Sequence, residues 1–174
     1  NTAGGIAAVS ANTVSGLTVT GVAASQVSGI LSAVPTATIS SNSIHTISSS
    51  GNGAAMHGIY IVNGTTVNVN LNTIHALTGT GTGNVNASGI YCSNGSVVNV
   101  YRNRIYNITQ QSSSGGSAPL VNGFVIQGGT AVTAYNNFIS DLKTPLANSN
   151  DAVRGISLIS ASASTSYNIF YNSI

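Results

Sequence analysis

Charge is what this chain has least of. Only six of its 174 residues are charged: Arg102, Arg104, Lys143 and Arg154 against Asp141 and Asp151, with no glutamate. A net charge of +2 from so few groups makes no basic stripe, which excludes nucleic acid as a partner. Two carboxylates are also few for a calcium cage, or for the paired acids of glycoside chemistry. The single cysteine, Cys92, has no partner, so no disulfide framework exists. No apolar run is long enough to span a bilayer, and no charged-then-apolar leader is present. Apolar residues nevertheless make up 42% of the chain. That separates it from disordered chains, which pair low hydrophobicity with high charge.

What the chain has instead is repetition. Gly58–Leu77 reads GIYIVNGTTVNVNLNTIHAL and returns, degenerately, as Gly89–Ile108 and Gly123–Leu142. Looser copies run from Gly29 to Ile47 and from Gly155 to Ile174. The sharpest element is Asn-x-Ile-x-x-Leu, opened by Asn12, Asn42, Asn72, Asn103 and Asn137 and cut short at Asn172. Its steps are 30, 30, 31, 34 and 35 residues. A period that drifts by insertion is solenoid behaviour, because each coil touches only its neighbours and loops absorb the change.

The local period is that of strands. Val67-Asn-Val-Asn-Leu71 alternates apolar and polar positions. The columns through Ala37, Val67, Val98 and Val132 and through Ile39, Val69, Val100 and Ala134 should point inward. The column between them, Thr38, Asn68, Asn99 and Thr133, should face solvent. The glycine opens a second strand, with Ile30, Ile59, Ile90, Phe124 and Ile156 inward, followed by Ser32, Ile61, Cys92, Ile126 and Leu158. A tight turn (Asn63-Gly64, Asn94-Gly95, Gly128-Gly129) joins it to the Val-x-Val strand. The asparagines Asn12, Asn42, Asn72, Asn103, Asn137 and Asn172 then turn the corner into a third strand. There they tolerate left-handed backbone angles and stack as an amide ladder.

The expected fold is therefore all-β: a right-handed parallel β-helix of about 30–35 residues per coil, with three short strands and one long loop in each. Residues 1–174 read as one such segment, with 1–28 a weakly matching first coil. The first residue lies inside a coil, the last stops a strand barely begun, and no capping helix is visible. The chain is thus expected to be part of a longer protein. Taken alone, its uncovered end coils should associate. The variable loops fall at Thr18–Ser28, Ser48–His57, Thr78–Ser88, Thr109–Asn122 and Lys143–Arg154.

The Asn-x-Ile-x-x-Leu and Gly-Ile-Tyr-x-x-x-Gly repeats resemble the right-handed β-helix repeats of large secreted and cell-surface proteins, especially those of Bacteroidota. The broader resemblance is to the pectate-lyase-like superfamily, which includes polysaccharide lyases and hydrolases, phage tailspikes and non-catalytic adhesin stalks. Fold alone does not choose among these. Relatives of this repeat type often belong to very long proteins exported by the type IX system. The missing acidic cluster and the uncapped coils point instead to a non-enzymatic extracellular stalk, adhesin or filament segment. Its partners would be neighbouring coils or like subunits, with a polysaccharide-active enzyme as the alternative.

Candidate sites are few. Tyr101, Tyr135 and Phe170 form an outward aromatic column beside the Asn/Thr column and offer a binding face for carbohydrate or protein, or simply a self-stacked ladder. His45 and His75 share a column with Tyr106; two imidazoles are short of a zinc site, so stacking is expected and no metal or cofactor is implied. His57 stands at a loop end. Asp141, Lys143, Asp151 and Arg154 share one loop region and read as solvated ion pairs. Four Asn-x-Ser/Thr sequons, at Asn63, Asn86, Asn94 and Asn107, are what this composition produces by chance. The sparse charge suits a location outside the cell.

Overall fold

The computed structural model describes residues 5–21, 25–51, 53–81, 86–112, 120–159 and 166–174. They form sixteen strands and no helix. In chain order these are Ile6–Ser10 (β1), Thr13–Val19 (β2), Gln26–Ser32 (β3), Thr36–Ser40 (β4), Ser43–Ser49 (β5), Ala55–Ile61 (β6), Thr66–Asn70 (β7) and Thr73–Gly79 (β8). Ala87–Cys92 (β9), Val97–Tyr101 (β10), Arg104–Gln110 (β11), Val121–Ile126 (β12), Ala131–Tyr135 (β13), Phe138–Lys143 (β14), Val153–Leu158 (β15) and Ser166–Phe170 (β16) follow. They stack into three parallel sheets: sheet A is β1-β4-β7-β10-β13-β16, sheet B is β2-β5-β8-β11-β14, and sheet C is β3-β6-β9-β12-β15. The molecule is a parallel β-helix of about five turns. At ~4.8 Å of rise per coil the stack is roughly 25 Å long.

Register follows the repeat. Val67 pairs with Ala37 below and Val98 above, and Val69 with Ile39 and Val100. The inward columns named from the sequence form one continuous core in the middle coils, where Ile39, Ile59, Val67, Ile90, Val98, Ile126 and Val132 are fully buried. Each such side chain contributes about 1.5–3 kcal/mol when withdrawn from water.

Two features of the coil differ from expectation. The left-handed residue at the sheet A to sheet B corner precedes the ladder asparagine. Ala11, Ser41, Leu71, Arg102, Asn136 and Tyr171 all have φ between 53° and 57°. The asparagine itself follows the turn, which aims its carboxamide along the stack. A second left-handed column, Gly16, Thr46, Ala76, Asn107 and Asp141, lies inside the sheet B strands. It explains the Ile-x-x-Leu spacing. Residues three apart on a regular strand face opposite sides, yet Ile44 and Ile47 are both fully buried. The left-handed residue between them resets the alternation, and the pairing register skips it at every level.

The glycine also has a different job. The sheet C strands begin two or three residues before it, so it lies within a strand rather than opening one. A Cβ at Gly29 would stand 2.5 Å from Ile44 Cγ2 and 2.7 Å from the Gly58 carbonyl oxygen. The same isoleucine-against-glycine approach recurs at Gly58, Gly89, Gly123 and Gly155. The glycine and the isoleucine of Asn-x-Ile are thus two halves of one packing contact. The strands run into the stretches expected as loops: β3 starts at Gln26, β6 at Ala55, β9 at Ala87, β12 at Val121 and β15 at Val153.

Candidate functional site

The corner asparagines make a polar ladder that runs through every level of the stack from Asn12 to Asn172. The backbone N–H of each rung donates to the Oδ1 of the next: Asn12 to Asn42 (3.0 Å), Asn42 to Asn72 (3.0 Å), Asn72 to Asn103 (3.1 Å), Asn103 to Asn137 (3.1 Å) and Asn137 to Asn172 (3.1 Å). Each Nδ2 donates to that same oxygen. From the second rung on, it also donates to a carbonyl of the coil below: Val9, Ile39, Val69, Val100 and Ala134 in turn. Asn42, Asn72, Asn103 and Asn137 are buried. Each of these four rungs is satisfied by its neighbours, so the buried ladder offers little to a ligand.

The aromatic column on sheet A is also self-satisfied. Tyr101 and Tyr135 stack at 5.0 Å and 1°, and Tyr135 and Phe170 at 5.1 Å and 5°. Tyr135 is covered on both faces, while Phe170 at the end of the stack stays 43% exposed. Asn70, the partner of Tyr101 in register, is itself buried. On sheet B, His45 stacks on His75 at 5.0 Å and His75 on Tyr106 at 4.9 Å. Arg104 caps this stack 4.8 Å from the Tyr106 centroid. Burial, and then the charges of His45 and Arg104, hold His75 below the usual imidazole range. The four charged groups near the last coils resolve into two separate pairs, Lys143 with Asp141 and Arg154 with Asp151. The guanidinium of Arg154 holds the Asp151 carboxyl below its ordinary range. Among the described residues, no group of three or more His, Cys, Asp or Glu comes together.

The structure assembles one cluster that sequence reasoning passed over, on the outer face of sheet C. His57 lies within β6 rather than at a loop end, and it registers with Ser28 on one side and Ser88 on the other. The column continues through Asn122 to Arg154. His57, Ser88 and Asn122 are 4%, 0% and 2% exposed although they point away from the core, and among the described residues His57 Nδ1, Ser88 Oγ and Asn122 Oδ1 find no hydrogen-bond partner. Burial alone pushes His57 down to about 4, so its ring is neutral at physiological pH. Beside it stand Tyr60 and Tyr91, with ring centroids at 5.2 Å and 4.7 Å. A cavity of about 100 Å³ adjoins the column, lined by Asn86, Tyr91, Asn122, Val125, Gln127, Ser157 and Ile159. Gln127 bonds the Tyr91 phenol, and Arg154 donates to Ser157 Oγ at 3.1 Å. The hint in the sequence was that histidine, serine, asparagine and arginine hold one register position two residues before Ile59, Ile90, Phe124 and Ile156.

Three in-register parallel sheets, an asparagine corner and a core continuous from coil to coil define the class: a β-solenoid of the parallel β-helix kind. Comparison with protein-family models, curated proteins and solved structures gives no match to this chain. Among the described residues no helix is long and apolar enough to cross a membrane.

Proposed function

We propose that this segment is a non-enzymatic structural module of the cell exterior, one stretch of a stalk, adhesin or filament. The observation that carries the reading is the ladder. It runs through six rungs with the same bonds at each internal step, and the sheets beside it keep one register throughout. The left-handed residue beside it recurs at every level as well, so the corner repeats as a structural device and no single coil departs from it. The scarcity of charge and the small polar outer columns suit a surface that packs against like coils or a neutral glycan. The pectate-lyase-like superfamily, a Bacteroidota source and export by the type IX route belong to the same proposal and rest on the repeat motifs alone.

A polysaccharide-active enzyme is the second reading. The buried polar column and cavity on sheet C favour it, because a rod has no need of three unpartnered polar groups there. The two readings separate on incubation with neutral and acidic polysaccharides, with and without calcium. The structural reading expects no new reducing ends and no unsaturated products. Turnover that is lost in Asp151→Ala or Asp141→Ala replaces it with the enzyme.

A further inference from the structure

The groove between sheets C and A carries a different chemistry. On consecutive coils it is lined by Pro35, Asn63, Gly64, Thr65, Asn94, Gly95 and Ser96. Two Asn-Gly dipeptides thus sit side by side in it, and Asn63 and Asn94 are both exposed. The Gly95 N–H donates to Oδ1 of Asn94 at 2.9 Å. The nucleophilic nitrogen is therefore held against the carboxamide whose carbon lies one bond beyond that oxygen. Closing a five-membered ring then needs only a turn of the carboxamide that brings its carbon to this nitrogen. Glycine at the second position puts no Cβ in the way. On the next coil the residue facing Asn94 is Gly128, again without a side chain to shield it.

We propose that Asn94-Gly95 is a self-modifying turn, and Asn63-Gly64 a slower copy of it. The Gly95 nitrogen gives its proton to water or hydroxide and bonds to Asn94 Cγ, and Nδ2 leaves as ammonia. Water then opens the resulting imide at either carbonyl. One opening gives aspartate, the other isoaspartate, in which the chain runs through the side chain. Water is consumed, ammonia is released and nothing is oxidised or reduced. In a chain with two carboxylates and a net charge of +2, one event at each turn brings the net charge to zero and makes a neutral groove anionic. The isoaspartate product also lengthens the backbone just before Ser96 and Val97, whose N–H groups tie this turn to Gly64 and Thr65 of the coil below at 3.0 and 2.9 Å.

The structure contains its own control. Asn122-Gly123 is the same dipeptide, buried within β12 and paired on both sides. Native chain incubated at mildly alkaline pH is mapped by peptide mass spectrometry, with isoaspartate scored enzymatically, and the same incubation is run in urea. In the native state Asn94 converts fastest, Asn63 follows, and Asn122 trails Asn94 by roughly tenfold or more, the factor that positioning supplies. In urea the three rates converge, because the local sequence is then all that counts. In Asn94→Gln the conversion at that turn disappears while conversion at Asn63 persists. Native Asn94 that stays an amide while the unfolded chain converts, or native Asn122 that keeps pace with Asn94, overturns the proposal.

Discussion

Asn103→Ala is the sharpest perturbation of the ladder. The substitution removes two bonds donated by Nδ2, to Val69 O at 2.9 Å and to Asn137 Oδ1 at 3.0 Å. It also removes the acceptor for Asn72 N (3.1 Å) and Asn72 Nδ2 (3.0 Å). The Asn103 backbone N–H keeps its own acceptor on Asn137. At about 1 kcal/mol net per bond, four bonds come to about 4 kcal/mol, and the stranded Asn72 N–H and Val69 carbonyl, both buried, push the value up rather than down. That is a large share of the roughly 5–15 kcal/mol that folded domains possess. Asn12→Ala removes only two bonds, at an exposed rung, and should cost about 1 kcal/mol. Urea unfolding followed by circular dichroism measures both. A loss below about 1 kcal/mol at Asn103, or equal losses at the two rungs, would refute the view that the buried ladder holds the coils together.

Gly58→Ala should cost about 2 kcal/mol or more, because its Cβ would stand 2.6 Å from the Gly89 carbonyl, which is backbone and cannot move aside; urea midpoints test it. Thr46→Asn should stabilise by about 1 kcal/mol, since a β-branched residue sits there at φ 56° and asparagine tolerates that region. His57, held at about 4 against an ordinary 6.5, binds its proton in the unfolded chain before the folded one. Stability should therefore fall as pH drops from 6.5 towards 4, by about 3 kcal/mol in all, and His57→Leu should flatten that slope in pH-dependent unfolding. Cys92, whose thiol burial pushes up to about 12, should resist a disulfide reagent in the native state and react on unfolding; native labelling at the unfolded rate would contradict its burial.

Much of this was legible in the sequence because a solenoid writes its contacts as columns. The alternation in Val67-Asn-Val-Asn-Leu71 gave the inward and outward faces, and the recurring asparagine gave the ladder. The backbone signs were not legible. The left-handed positions hold Ala, Ser, Leu, Arg, Asn and Tyr at one turn and Gly, Thr, Ala, Asn and Asp at the other, so no residue type marks them. Their conformation is imposed by the coils above and below rather than by local preference. Likewise Gly58 looked like a strand opener because the reason for it, Ile74, lies sixteen residues away in sequence but in contact in space. The His57, Ser88 and Asn122 column escaped notice because each of the three closes a stretch that reads as a loop, whereas all three lie within sheet C strands.

Backbone amide exchange at the rungs tests the central claim most directly. The N–H groups of Asn42, Asn72, Asn103 and Asn137 have side-chain oxygens of the next coil as their acceptors. If the ladder binds coil to coil, these four amides exchange with the slowest class in the protein, and Asn103→Ala moves Asn72 out of that class ahead of the other rungs. Exchange of the four at the rate of open turn residues, or no selective change at Asn72, would contradict the account.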